Sequence, residues 1–198
     1  SDGHWFYIHL FGLSLFMIDI YDGYYFLPLG AREPMNAGIW SHIYSAVDFL
    51  SPGYVQKRGV EHPAYDLNWI EGGNSDLGAN VYAMADGLVV DTVYDSYIGG
   101  IVVLFHRIAL DVYRWSSYWH LNDSGRPARG QFIRANQVIG TLGLIPGLPQ
   151  AKTHLHFEVR KEYLMPNAWF DYVRCNWLVR EKYDDGLDFI KVMNREDF

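Results

Sequence analysis

A single cysteine, Cys175, occurs in the 198 residues. One thiol closes no intramolecular disulfide and builds no cysteine metal set, so its simplest reading is a packed or partly exposed side chain. Cysteine usage leaves the compartment open. Positive charge is scarce as well: 16 Lys and Arg face 23 Asp and Glu, for a formal net charge of −7. That balance argues against a nucleic-acid surface, and no block of like charges marks an interaction tail. Long apolar runs are also missing. Residues 5–18 are strongly apolar but fall short of the roughly 20 residues that span a bilayer. No Lys or Arg precedes them, as one would in a signal peptide. The zincin H-E-x-x-H, the P-loop, the dinucleotide glycine pattern and G-x-S-x-G are all absent.

Aromatic residues are plentiful, at 17% of the chain, and suit a β-rich protein or an aromatic-lined groove. The length fits one domain with additions. Residues 19–35 read as short extended pieces joined by Gly and Pro turns. Residues 36–50 place Ile39, Ile43, Ala46, Val47 and Leu50 at helical spacing behind a possible Asn36 cap, which predicts a helix. Ser51-Pro52-Gly53 reads as its stop. Four strands are expected over residues 81–85, 87–93, 100–105 and 112–118. Asp86-Gly87 reads as the hairpin turn between the first two, and His106 as a surface residue at the end of the third. Short strands near residues 131–133 and 138–142 flank Ala135-Asn136. The tail, residues 164–198, predicts one or two short helical or irregular segments. The whole reads as a mainly β, antiparallel domain with few short helices at its flanks.

The chemistry concentrates in Thr153-His154-Leu155-His156-Phe157-Glu158-Val159-Arg160. Leu155, Phe157 and Val159 alternate with His154, His156 and Glu158, the period of a strand, so both imidazoles face one way. Upstream stand His62-Pro63-Ala64-Tyr65-Asp66 and Tyr118-Trp119-His120-Leu121. In an extended segment His62 and Asp66 return to one face. Two histidines and one carboxylate, with two further histidines for proton work, suit metal-assisted hydrolysis. Each residue has a plainer alternative. His62 could be a loop histidine, Asp66 a turn cap and His120 a core histidine. A cupin would need a glutamate further beyond H-x-H, and the iron dioxygenase H-x-D is absent.

His62-x-x-x-Asp66, Tyr118-x-His120-Leu121 and His154-Leu155-His156-Phe157-Glu158, in this order, resemble the LytM/lysostaphin-type zinc endopeptidases. Residues 76–90 are similar to the family's G-x-x-V-x-A-x-x-D-G-x-V strand pair, and residues 137–143 to its G-Q-x-I-G-x-x-G segment. Asn136 stands where the family usually has Gly, a mild departure because Asn tolerates positive φ. The resemblance covers residues 56–161 and implies an antiparallel sheet or sandwich with a zinc-bearing groove. It implies one zinc ion on His62, Asp66 and His156, with His120 and His154 unligated and catalytic. Spacing alone does not choose between His154 and His156 as ligand, because both share a face. One unligated histidine would move the proton of the attacking water and the other would stabilise the oxyanion. Glu158 would orient a histidine or be a surface acid. The implied substrate is peptidoglycan or another peptide, outside the cytoplasm, with no nucleic acid. The implied alternative is a non-catalytic zinc-binding module that regulates cell-wall enzymes or acts as an interaction domain.

Three regions follow: residues 1–55 as an N-terminal extension, 56–163 as the catalytic β domain and 164–198 as a tail packed on it. Membrane association could come only through residues 5–18. So much apolar surface does not stay in water unpaired. We read the run as a brace on the outer face of the sheet rather than a lid, since only His4, His9 and Asp19 could block a metal. Deleting residues 1–20 should therefore lower stability without raising activity. A stable truncated protein with clearly higher turnover would make the run a lid.

Overall fold

The computed structural model describes residues 9–10, 13–14, 18–30, 42–167 and 173–194, with only the backbone for the first two pairs. The expected apolar brace and the first part of the expected helix lie mostly outside these residues. Ile18, at the end of the apolar run, is buried. The described residues form twelve strands and three helices, in order. The strands are β1 (His9–Leu10), β2 (Leu13–Ser14), β3 (Ile43–Val47), β4 (Tyr65–Trp69), β5 (Asn80–Tyr82) and β6 (Gly87–Asp95). They continue with β7 (Gly99–Ala109), β8 (Val112–Leu121), β9 (Phe132–Ile133), β10 (Val138–Thr141), β11 (Leu155–Arg160) and β12 (Tyr183–Asp184). The helices are α1 (Pro52–Arg58), α2 (Asn176–Lys182) and α3 (Gly186–Met193). Among the described residues no helix is long and apolar enough to cross a membrane.

The main sheet is antiparallel, in the order β3-β4-β11-β8-β7-β6-β9, with β12 on the far half of β11. Strands β5 and β10 form a second, two-stranded sheet. The principal core lies between them: Leu67, Val102, Leu104, Tyr118, Leu155, Phe157 and Val159 of the main sheet meet Val81 and Ile139 of the small one. Leu187 and Ile190 of α3 extend the same core. Each such side chain contributes roughly 1.5–3 kcal/mol on burial. The opposite face of the main sheet carries a second cluster of Ile101, Val103, Phe105, Trp115 and Trp119, against which Ile18 packs.

Three expectations of secondary structure are corrected. Residues 43–47 are the edge strand β3, not a helix, and the remainder of that expected helix falls partly outside the described residues. The segment Ile43-Tyr44-Ser45-Ala46-Val47 alternates in burial, and its β-branched and aromatic members pair with β4. Ser51-Pro52-Gly53 opens a helix instead of ending one. Pro52 sits in the first turn of α1, where its missing N–H costs nothing, and Gly59 ends the helix at φ 74°. Asp86-Gly87 is not a hairpin turn, because β5 pairs with β10 and β6 with β7 and β9. Asp86 Oδ1 instead accepts the Ala135 N–H at 2.7 Å, pinning the turn in which Asn136 takes the expected positive φ of 59°.

His106 is the partner of that junction and is fully buried, not a surface residue. A Cβ on Gly87 would lie 2.8 Å from its ring, so glycine lets the two strands close. His106 Nδ1–H donates to Asp86 O at 2.8 Å, and Nε2 accepts from the Ser116 hydroxyl at 2.7 Å. Burial pushes its pKa from 6.5 down to about 4. The unfolded chain therefore takes up this proton at a higher pH than the folded one. Its contribution to stability is complete above about pH 6.5 and declines toward pH 4, by at most about 3 kcal/mol. Urea melts in chelator at pH 7 and pH 4.5 should differ less for His106→Gln than for the parent. Equal differences would assign the pH dependence to other groups.

Candidate functional site

Strand β11 carries the centre of the site, and its register fixes the geometry. His156 lies directly across from Asp66 of β4 on one side and from Trp119 of β8 on the other. Leu155, Phe157 and Val159 enter the principal core, so His154, His156, Glu158 and Arg160 share the other face. The stretch before β4 brings in His62, whose backbone carbonyl accepts from Leu50 N at 2.7 Å and whose Nδ1 lies 3.3 Å from Asp48 O. The Tyr54 ring of α1 leans on the His62 ring, with centroids 4.7 Å apart. Thr153, just before His154, is tied to Asn74 by its N–H at 3.0 Å and to Asp76 by its hydroxyl.

His120 reaches the site through a β-bulge. Tyr118 pairs with Val102 and Leu121 with Gly100, so Trp119 and His120 together stand opposite Ile101. His120 takes φ 66°. In a regular strand consecutive side chains point to opposite faces. Here the Trp119 ring lies 4.7 Å from His156 and the His120 ring 4.7 Å from His154. Bulges re-aim side chains in this way.

All five expected residues meet. His62 Nε2 and His156 Nδ1 lie 3.2 and 3.1 Å from Asp66 Oδ1, and the three ligand atoms fall within 4.8 Å of one another. Tetrahedral zinc, with bonds of about 2.0–2.2 Å, holds its ligand atoms about 3.3 Å apart. The set therefore fits a small divalent cation. His154 Nε2 stands 3.7 Å from Asp66 Oδ2. His120 and His154 each direct Nδ1 to a backbone carbonyl, Ile98 O at 2.8 Å and Lys152 O at 2.9 Å. Both thereby turn Nε2 toward the site.

The electrostatics are those of a buried, compensated cluster. Burial opposes the charge on Asp66, but His62, His154 and His156 outweigh it and hold the carboxyl well below its usual range. Burial also disfavours a protonated His156, yet Asp66 and Glu158 prevail and push it up to about 9. A cation on Nδ1 would take the place of that proton. Burial, followed by His154 and His156, pushes His120 down to about 3.

The residue that spacing had not singled out is Arg160. Glu158 accepts from His156 Nε2 at 2.9 Å, and its other oxygen accepts from Arg160 Nε at 2.6 Å. Arg160 continues to Leu164 O at 3.0 Å and Pro166 O at 3.3 Å. Glu158 is thus the orienting partner of His156 and not a surface acid. The signal was present, since Arg160 continues the polar alternation of the strand. Replacing one member of a buried ion pair leaves the other charge stranded. Arg160→Met should therefore cost roughly 3–5 kcal/mol in urea denaturation, and the double Glu158→Gln/Arg160→Met variant distinctly less. A single variant costing as little as the double one would refute the pairing.

Residues 73–168 match peptidase family M23. The matched segment holds His120, His154 and His156, while His62 and Asp66 reach the site from upstream of it. No curated protein matches the sequence. Among solved structures, a zinc-containing peptidase from Vibrio cholerae is 27% identical over 67% of this chain and 36% of its own, with a TM-score of 0.48. Lysostaphin, from Staphylococcus simulans, is 19% identical over 76% of this chain and 51% of its own, with a TM-score of 0.55. A SpoIIIAH and SpoIIQ complex matches at 22% identity over 73% of this chain and 97% of the matched one, with a TM-score of 0.51. The chain thus spans about a third of the Vibrio protein and half of lysostaphin, and its likeness to lysostaphin and to the complex is one of fold. Its strand order, its site and its matched segment together support the LytM/lysostaphin-type peptidases of family M23 as the family that this chain resembles.

Proposed function

We propose that the chain is a zinc-dependent endopeptidase that hydrolyses peptide bonds of bacterial peptidoglycan, in a stem or cross-bridge, outside the cytoplasm. The observation that supports this most is the convergence of three ligand atoms and two carbonyl-anchored imidazoles in one groove. His62, Asp66 and His156 would hold the metal, and zinc bound there supplies a Lewis acid that polarises a peptide carbonyl and acidifies water.

The remaining chemistry belongs to the chain. His120 donates Nδ1–H to Ile98 O, so Nε2 is its acceptor, and its low pKa keeps it neutral. It takes the proton of the attacking water at Nε2 and returns it to the leaving amine. His154, whose Nε2 stands 3.7 Å from Asp66 Oδ2, is the second imidazole at the metal set and stabilises the oxyanion that develops on the scissile carbonyl. Glu158 holds His156 so that Nδ1 faces the ligand set. Trp119 covers one side of His156 and limits water there.

The same fold could serve as a zinc-binding module that regulates cell-wall enzymes, and the assay separates the two. Purified sacculi incubated with the zinc-loaded protein should release muropeptides identifiable by mass spectrometry, and chelation should stop the release. Zinc uptake without release would favour the regulatory module. His62→Ala and Asp66→Ala should lose zinc, whereas His120→Ala should keep it and lose about 10²–10⁴-fold in turnover. Equal zinc loss in all three would overturn the division of roles.

A further inference from the structure

The groove has two unlike walls. It encloses about 440 Å³ and is bounded on one side by α1, with Tyr54, Lys57 and Arg58, and on the other by Tyr97, Ile98, Ile145 and Leu148. The second wall is apolar and aromatic. It is closed by contact between Tyr97 and Gly147, whose N–H donates to Tyr97 O at 2.8 Å. A Cβ on Gly147 would strike the Tyr97 ring. The first wall is cationic. Lys57 and Arg58 occupy the last turn of α1 and are exposed. Among the described residues neither has a carboxylate partner, although the chain carries an excess of seven negative charges. Among the described residues Asp66 is the sole acid lining the groove, and it is engaged by three histidines.

Helix α1 also stands in fixed relation to the site. Its Tyr54 ring packs on His62, and three residues separate Arg58 from His62 in the chain. We propose that Lys57 and Arg58 form a carboxylate-binding subsite, which selects peptides bearing a free carboxylate on the α1 side of the scissile bond. This rests on the reading of the groove as a peptidase cleft. Two adjacent cations on a short helix offer several N–H donors to one carboxylate, the strong form of hydrogen bond. A side-chain carboxylate and a C-terminal carboxylate share this chemistry.

Binding of defined peptides tests the proposal without requiring cleavage. The probes are N-acetyl-tetraglycine amides in which one glycine at a time is replaced by Glu or by its neutral isostere Gln, together with N-acetyl-tetraglycine bearing a free C-terminus. Calorimetric titration of the zinc-loaded His120→Ala chain should show at least one carboxylate peptide binding roughly tenfold tighter than its neutral counterpart. The Glu series and the free C-terminus identify which source of carboxylate is used. In the same chain with Lys57→Gln and Arg58→Gln the preference should vanish, while neutral peptides bind as before and zinc content is unchanged. Added salt should weaken the preference, since both cations are exposed. The absence of any preference in the His120→Ala chain, or its persistence in the triple variant, would overturn the subsite. Failure to hydrolyse sacculi would count against the peptidase reading alone, because this preference is read from binding.

Discussion

The antiparallel register of β11 between β4 and β8 is the constraint on which the site depends. It sets His156 opposite Asp66 and Trp119 in one row. What holds the register is the other face of the same strand, where Leu155, Phe157 and Val159 are wholly buried. A slip of one residue would drive His154, His156, Glu158 and Arg160 into the apolar core and expel those three side chains. At roughly 1.5–3 kcal/mol per large apolar side chain, that exchange outweighs any local preference of the polar residues. Hydrophobic packing on one face thus positions polar chemistry on the other.

Register alone would place only part of the site. Strict alternation would send His120 to the side occupied by Tyr118, away from His154. The bulge at Trp119 and His120 breaks the alternation at a cost, since a non-glycine residue at φ 66° is strained by about 1–3 kcal/mol. Two hydrogen bonds hold it there. His120 Nδ1 meets Ile98 O at 2.8 Å, and His120 O accepts the Gly143 N–H at 2.7 Å. The bond that restrains the backbone and the bond that sets the tautomer therefore flank the same imidazole.

Much of this was legible in the chain. Period-two alternation revealed the common face of His154 and His156, β-branched and aromatic runs revealed β6 to β8, and Asn136 met the positive φ it was suited to. The misreadings share a physical cause. Ile43, Ala46, Val47 and Leu50 fit a helical period, but pairing with β4 decided the conformation of residues 43–47, and propensity yields to such tertiary contacts. Asp86-Gly87 has the composition of a hairpin turn. Its glycine is needed for the His106 ring and its carboxylate for Ala135, both distant in sequence. The direction of His120 was illegible because a bulge is defined by two strands at once. Helix α1 was hidden by Pro52, which ends helices from within and begins them from the first turn.

The polar face of β11 poses a last question, because it is not a solvent face: every residue of the strand is buried. Glu158 and Arg160 are among the least exposed charges in the described chain. A buried ion pair seldom repays its desolvation, so stability is a poor reason for this one. Position is a better one. Glu158 accepts the Nε2–H of His156, and that leaves Nδ1, which faces Asp66 and His62, as the nitrogen a cation would take in place of its proton. Arg160 pairs with Glu158 at 2.6 Å and compensates its buried charge. Arg160 in turn is bound to the carbonyls of Leu164 and Pro166, so the segment following β11 covers the row and keeps water from it. The apolar core determines where His156 stands, and the buried charges determine which nitrogen it offers.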